Sequence, residues 1–260
     1  MMTMKDLKHG TFTCPGLASG NAAAAKKFYT SLLGWEAKDE TSPEGTFTMF
    51  TIGGDMVAGM YQGASDRIKA GVMPHWNSYV VVKGIDAMVK KCKDLGGTVK
   101  LGPFDAGEDK MANLQDPLGA SFSIMESHSQ SMNVRLSDVG ALVWSELYTT
   151  DTDRAGQFYA KLFDWELQPF KESPMPYTVF KPKVAERGIG GMLKITDDMK
   201  GMKPQWMPYF HVTDADQFSA KSKDLGAQIH GPFDVPTVGR IAIIMDPEKA
   251  GFAVIHPKPM

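Results

Sequence analysis

The pattern of apolar and polar positions predicts one order of elements four times over. Gly10 to Ala18 carries a strand pattern, followed by a helix over about Asn21 to Leu33. Ser19 or Asn21 can cap that helix, and Gly34 can end it in the left-handed conformation. Ala25, Phe28, Tyr29 and Leu32 fall on one helical face. Three short strands follow, Trp35 to Glu40, Phe47 to Ile52 and Met56 to Tyr61, with Gly53-Gly54 as a tight hairpin between the last two. The order then restarts. Tyr79 to Val82 is strand-like, Ile85 to Leu95 is helical, and Gly96-Gly97 ends that helix. Strands near Val99 to Leu101, Met111 to Leu114 and Ser121 to Met125 complete the unit.

The second half repeats this plan. It has a strand at Ala141 to Tyr148, a helix at about Thr152 to Leu162, and strands up to Met192. Another strand, Tyr209 to Val212, leads to a helix at about Ala215 to Leu225 and strands up to Ile255. Particular residues repeat as well. Trp76 and Tyr79 recur as Trp206 and Tyr209, 130 positions on. The same offset carries Phe28-Tyr29 to Phe158-Tyr159, Trp35-Glu36 to Trp165-Glu166, Asp116-Pro117 to Asp246-Pro247, and Phe122 to Phe252. The chain is therefore a duplication, and its copies are expected to share a fold. We place one domain at residues 1–127, a Ser-rich linker at 128–137, and a second domain at 138–260.

Composition narrows the functional classes. Of 260 residues, 43% are hydrophobic and 22% charged, enough for each half to build a core. The net charge of −2, without a Lys/Arg cluster, argues against nucleic acid or an anionic membrane as partner. No apolar stretch approaches spanning length and Met1 to Gly10 lacks a signal core, so a cytoplasmic protein is expected. Two cysteines, Cys14 and Cys92, do not make a disulfide framework. The 18 methionines are read mainly as core filling.

The fourfold βαβββ plan, Phe-Tyr in the first helix of each half, Leu33-Gly34-Trp35-Glu36 after it, and Asp-Pro-x-Gly-Ala-x-Phe at Asp116 to Phe122 together resemble the vicinal oxygen chelate superfamily. That superfamily includes glyoxalase I, bleomycin- and fosfomycin-resistance proteins and extradiol dioxygenases. The resemblance implies an α+β fold of tandem glyoxalase-like domains, each with two βαβββ units forming a curved mixed sheet around a cup. It also implies a divalent metal in the cup. Its ligand positions fall at Cys14, near Asn77 and near Ser123 in one half, and at Trp144, Met207 and Ala253 in the other. Neither set supplies the carboxylate and imidazole donors such an ion needs.

Neighbouring positions offer other chemistry. Glu146 lies two beyond Trp144 and His211 four beyond Met207, so each shares a strand face with its slot. His75 is two before Asn77, and His256 is an odd number of residues from Ala253 and should face away. A metal held by Glu146 and His211 is the less favoured reading; hydrogen-bonded polar groups at the cup wall are favoured. Glu146 is also the candidate general base, should its pocket be apolar. Tyr79 and Tyr209 face the cups as ligand-binding candidates, whereas Trp76 and Trp206 are assigned to packing. Cys14 lacks a clear His partner and reads as a small buried hydrophobe. Gly188 to Gly191 aligns with the strand Met56 to Gly59 and is not taken as a phosphate loop.

The expected function is capture of a small, partly apolar molecule by Cys14, Asn77 and Tyr79 in one cup and by Trp144, Glu146, Tyr209 and His211 in the other, with no cofactor and no metal. One alternative is a lyase, isomerase or dioxygenase using a relocated divalent metal or Glu146. Another is a duplicated scaffold for protein interaction. Either a monomer or a homodimer is compatible with the sequence.

Overall fold

The computed structural model describes residues 2–42, 45–62, 73–129 and 132–258. The N-terminal half comprises β1 (Met2–Thr3), β2 (Phe12–Ser19), α1 (Ala22–Leu33), β3 (Glu36–Ser42), β4 (Gly45–Ile52), β5 (Asp55–Gln62), β6 (His75–Val81), α2 (Ile85–Asp94), β7 (Thr98–Ala106), β8 (Asp109–Gln115) and β9 (Ser121–Glu126). A short β10 (Asn133–Val134) follows. The C-terminal half comprises β11 (Leu142–Thr149), α3 (Thr152–Phe163), β12 (Trp165–Pro169), β13 (Tyr177–Pro182), β14 (Gly190–Lys194), β15 (Gln205–His211), α4 (Ala215–Asp224), β16 (Gln228–Val235), β17 (Gly239–Met245) and β18 (Gly251–Pro257). None of the described helices is long and apolar enough to cross a membrane.

Local chemistry sets these boundaries. The Asn21 side chain accepts from the Ala24 amide at the start of α1, and Gly34 ends the helix at φ 70°. Gly53 and Gly54 both have positive φ, 59° and 84°, as a two-residue hairpin turn requires. β7 and β16 run longer than the sequence pattern predicts, through Gly-Pro-Phe-Asp in each copy. Both are edge strands, where a proline's missing N–H breaks no ladder.

Each half forms one mixed sheet. The C-terminal sheet runs β12-β13-β14-β11-β15-β18-β17-β16, with β11 parallel to β14 and antiparallel to β15. The N-terminal sheet has the same centre, β5-β2-β6-β9-β8-β7, with β4 and β3 beyond β5. It gains β10 and β1 as well.

The helix-side cores are composite. One buried cluster joins Phe12, Met88 and Phe122 of the N-terminal half to Phe158, Trp165 and Trp206 of the C-terminal half. The other joins Phe28, Trp35 and Trp76 to Phe210, Ile244 and Phe252. The expectation that each half builds its own core is thus corrected on this side of the sheets: the first unit of one half packs on the second unit of the other.

The repeated motif residues carry this contact. Tyr29 donates to Asp246 at 2.8 Å and accepts from Trp76 Nε1 at 3.0 Å. In mirror fashion, Tyr159 donates to Asp116 at 3.0 Å and accepts from Trp206 Nε1 at 2.8 Å. Trp35 donates to the Gly140 carbonyl and Trp165 to that of Gly10. Lys91 reaches the Leu162 carbonyl at the end of α3, and Lys221 reaches that of Leu32 at the end of α1, where cations suit the exposed carbonyls.

The linker differs from its polar expectation. Met132, Val134 and Leu136 pack with Met2, Met4 and Leu7 against Cys14, Tyr79 and Val81 on the cup face of the N-terminal sheet. Their alternation is a strand period, which puts all three on one side.

Two outcomes test this architecture. Tyr29→Phe strands the buried Asp246 oxygen and Trp76 N–H; a loss of about 1–3 kcal/mol is expected in urea unfolding. An N-terminal fragment ending at Glu126 exposes half of each composite core, so light scattering should find it self-associated and not monomeric.

Candidate functional site

The strongest concentration of polar chemistry in an apolar wall lies on the cup face of the C-terminal sheet. Strand alternation along β11 sends Trp144, Glu146 and Tyr148 to this face and Leu147 to the helix side. β15 adds Met207 and Tyr209, and β18 adds Ala253 and Ile255. Ile195, Met199 and Met202, from the segment between β14 and β15, pack on the same cluster.

Glu146 is the chemical centre, only 2% exposed. Its Oε2 accepts from Tyr177 Oη at 2.7 Å and from Trp144 Nε1 at 3.1 Å. Trp144 Nε1 also points to Tyr177 Oη at 2.9 Å. Oε1 is buried and, among the described residues, has no hydrogen-bond partner. Burial raises the Glu146 pKa to about 7, and the bonds from Tyr177 and Trp144 offset only part of that rise. Since Oε2 already faces two donors, a proton taken up by this carboxyl belongs on Oε1. Tyr148 and Tyr209 bring their hydroxyls to 3.4 Å of each other. Burial, then the Glu146 charge, raises both phenol pKa values above the ordinary range, so they stay protonated.

Glycine makes the cluster sterically feasible. A Cβ on Gly191 would stand 2.2 Å from Tyr177 Oη. Gly191 pairs with Glu146 in the β11–β14 ladder, so the bare backbone there lets the Tyr177 ring cross β14 to reach the carboxylate. Gly59 and Phe47 use the same device in the other half, with Phe47 Cζ 2.7 Å from such a Cβ. There the ring has no hydroxyl.

The N-terminal cup has different contents. Gly16 pairs with Gly59 as Glu146 pairs with Gly191, so no carboxylate stands there. The Tyr79 ring lies over Gly16 instead, 2.8 Å from where a Cβ would be. Asn77 donates to Tyr61 Oη at 3.0 Å. Cys14 Sγ donates to the Met56 carbonyl at 3.2 Å, and burial pushes its pKa up to about 12, the opposite of an activated nucleophile.

The structure brings Trp144, Glu146 and Tyr209 together on one face, while His211, at the end of β15, places its Nδ1 3.2 Å from the Ser137 carbonyl. His256 contacts the Val212 carbonyl and His75 that of Met73. Trp76 and Trp206 lie in the composite cores. Among the described residues no three His, Cys, Asp or Glu side chains cluster as ligands. With one carboxylate among aromatic and apolar groups, the donor set does not fit the divalent ion of the resembled superfamily. A surface depression of about 390 Å³ lies elsewhere, beside Met2, Asp55, Arg135 and Asp138. It is built around the Arg135–Asp55 ion pair and holds none of the groups above.

Sequence reasoning missed Tyr148 and Tyr177. Both left a signal: Tyr148 continues the alternation of Trp144 and Glu146, and Tyr177 is the polar replacement of Phe47, 130 positions earlier.

The carboxyl has a thermodynamic signature. With a folded-state pKa near 7 against an unfolded 4.5, the native state binds the extra proton between those values. Stability should therefore fall as pH rises from about 4.5 to 7, by about 3 kcal/mol, and then level. Glu146→Gln should abolish that fall and be the more stable protein at pH 8, as urea titrations at several pH values would show.

Comparison with known proteins agrees with the topology. The sequence pattern of the Glyoxalase/Bleomycin resistance protein/Dioxygenase superfamily matches residues 11–124. A Mycobacterium bovis protein, CFP32, assigned as a glyoxylase by name only, is 34% identical over 267 residues, covering 100% of this chain and 99% of its own. The anthracycline biosynthesis protein DauV of Streptomyces sp. strain C5 is 28% identical over 92% of this chain and 90% of its own. Among solved structures, the Mn(II)-bound glyoxalase of Novosphingobium aromaticivorans superposes with a TM-score of 0.65 at 11% identity, over 96% of this chain and 82% of that one. The 2,3-dioxygenase LapB of Pseudomonas sp. KL28 gives 0.65 at 11% identity, over 97% and 96%. The chain belongs to the glyoxalase/bleomycin resistance protein/dioxygenase superfamily.

Proposed function

We propose that this protein binds a small, partly apolar molecule in its C-terminal cup, without the divalent metal of its superfamily. The carrying observation is the buried Glu146 carboxyl with one satisfied and one unsatisfied oxygen inside an apolar and aromatic wall. Apolar sites with a few convergent polar groups are the usual form of small-molecule pockets. An unmet buried oxygen costs about 1–3 kcal/mol, which a ligand that reaches it recovers. Trp144 and Tyr177, which hold the carboxyl, are only half-buried. The name of the Streptomyces relative, which ties it to anthracycline biosynthesis, is in keeping with a small-molecule role.

Trp144 supplies a built-in reporter. The other four tryptophans, Trp35, Trp76, Trp165 and Trp206, lie in the composite cores. A ligand in the C-terminal cup should quench or shift Trp144 emission saturably, and Trp144→Phe should remove the signal. A thermal-shift screen of apolar fragments in which every hit leaves Trp144 emission unchanged would refute the assignment.

A second reading is favoured by the pKa near 7. A general base works best near the operating pH, and Glu146 is held there by burial. In that reading the cup is catalytic and Glu146 Oε1 takes a proton from the bound molecule. Glu146→Gln would then keep ligand binding within a few-fold but lower turnover of a converted ligand by about 100-fold or more. Unchanged turnover would exclude the base.

A further inference from the structure

Glu146 has hydrogen bonds on one side and, among the described residues, no counter-charge on any. Besides burial, Tyr177 and Trp144 are the groups that act on it, and among the described residues no Lys, Arg or His does. Its own charge acts on Tyr148, Tyr177 and Tyr209, so three phenols border the carboxyl. Every one is held protonated, and none donates to Oε1. A buried carboxylate without a cation is expensive to ionise. A neutral hydroxyl from a ligand would meet the hydrogen-bonding need of Oε1 and leave the charge uncompensated. An ammonium would meet both needs. The electron-rich faces of Trp and Tyr attract the same kind of group, as aromatic cages for amines do.

We propose that the C-terminal cup selects an organic cation, a primary or secondary ammonium on an apolar body, whose N–H donates to Glu146 Oε1 beside the rings of Trp144, Tyr177 and Tyr209. This rests on the small-molecule reading of the C-terminal cup and narrows it to one charge class. Among the described residues the N-terminal cup has no equivalent, since Gly16 stands where Glu146 would be and Asn77 is neutral.

The groups facing Glu146 are few. Tyr148 comes from its own strand, Tyr177 from β13 and Tyr209 from β15. β14 presents Gly191, and β18 presents Ala253 and Ile255, none of which titrates. His211, at the end of β15, contacts the Ser137 carbonyl instead. The ammonium should therefore bind the ionised carboxyl, and its affinity should rise with pH through about 7.

The test is isothermal titration with two shape-matched pairs, benzylamine with benzyl alcohol and 2-(1-naphthyl)ethylamine with 2-(1-naphthyl)ethanol, at pH 6 and pH 8. In at least one pair the amine should bind at least tenfold more tightly than its alcohol at pH 8. That preference should shrink about tenfold at pH 6, with proton release seen as a dependence of the heat on the buffer. Glu146→Gln should equalise amine and alcohol, and His211→Asn should keep the preference. Equal binding of both members by the wild-type protein would overturn the charge assignment and leave the small-molecule reading intact. An amine preference that survives Glu146→Gln would overturn it too, by placing the selection elsewhere. Absence of binding by all four probes would remove both the charge assignment and the reading beneath it.

Discussion

A tyrosine hydroxyl shared between an indole N–H and a carboxylate, buried where the two halves meet, is the interaction on which the rest of this structure depends. It occurs twice, as Trp76–Tyr29–Asp246 and as Trp206–Tyr159–Asp116. In each, two elements of one half are tied to the Asp-Pro turn of the other. The aspartates are themselves held by the amides of their own turns, Leu118 and Ala120 in one copy and Glu248 and Ala250 in the other. Burial raises the carboxyl pKa values of Asp116 and Asp246, and these hydrogen bonds oppose the rise. Because the relays fix the helix sides of both sheets against each other, the opposite faces are left for chemistry.

Those free faces have diverged. The N-terminal one is occupied by a strap of its own chain, with Met2 and Met4 from the start and Met132 and Val134 from the connection to the second half. It is rich in thioethers, and its polar groups satisfy one another, as Asn77 and Tyr61 do. The C-terminal one keeps a carboxyl with an oxygen to spare. Duplication allowed this division, since either sheet could lose its site chemistry while both went on serving the common interior.

Much of the architecture was legible because its signals are local. Helix caps at Asn21 and Gly34, the Gly53-Gly54 turn and the fourfold order follow from residue types and spacing. The 130-residue offset flagged the interface residues, yet their partners lay in the other half, at separations no periodic pattern reports. The same limit applied to the site. Alternation placed Trp144 and Glu146 on one face, whereas the reach of Tyr177 to Glu146, two strands away, depends on the missing side chain at Gly191 on the strand between them. His211 shows the converse. Spacing placed it with Met207, and at the end of β15 its contacts go to Ser137 and the Gly140–Ala141 backbone.

The composite interior has a further consequence for how this chain holds together. Two separate copies of a single half could form the same pair of cores only by meeting in solution, and their folded fraction would fall on dilution. Joined by a connection of about ten residues, the halves see each other at a fixed local concentration, in the millimolar range for a short tether. Assembly of the interior then becomes a unimolecular event, independent of how much protein a cell contains. That independence is what permits one sheet to accumulate substitutions without the matching change in its twin that a symmetric dimer would impose.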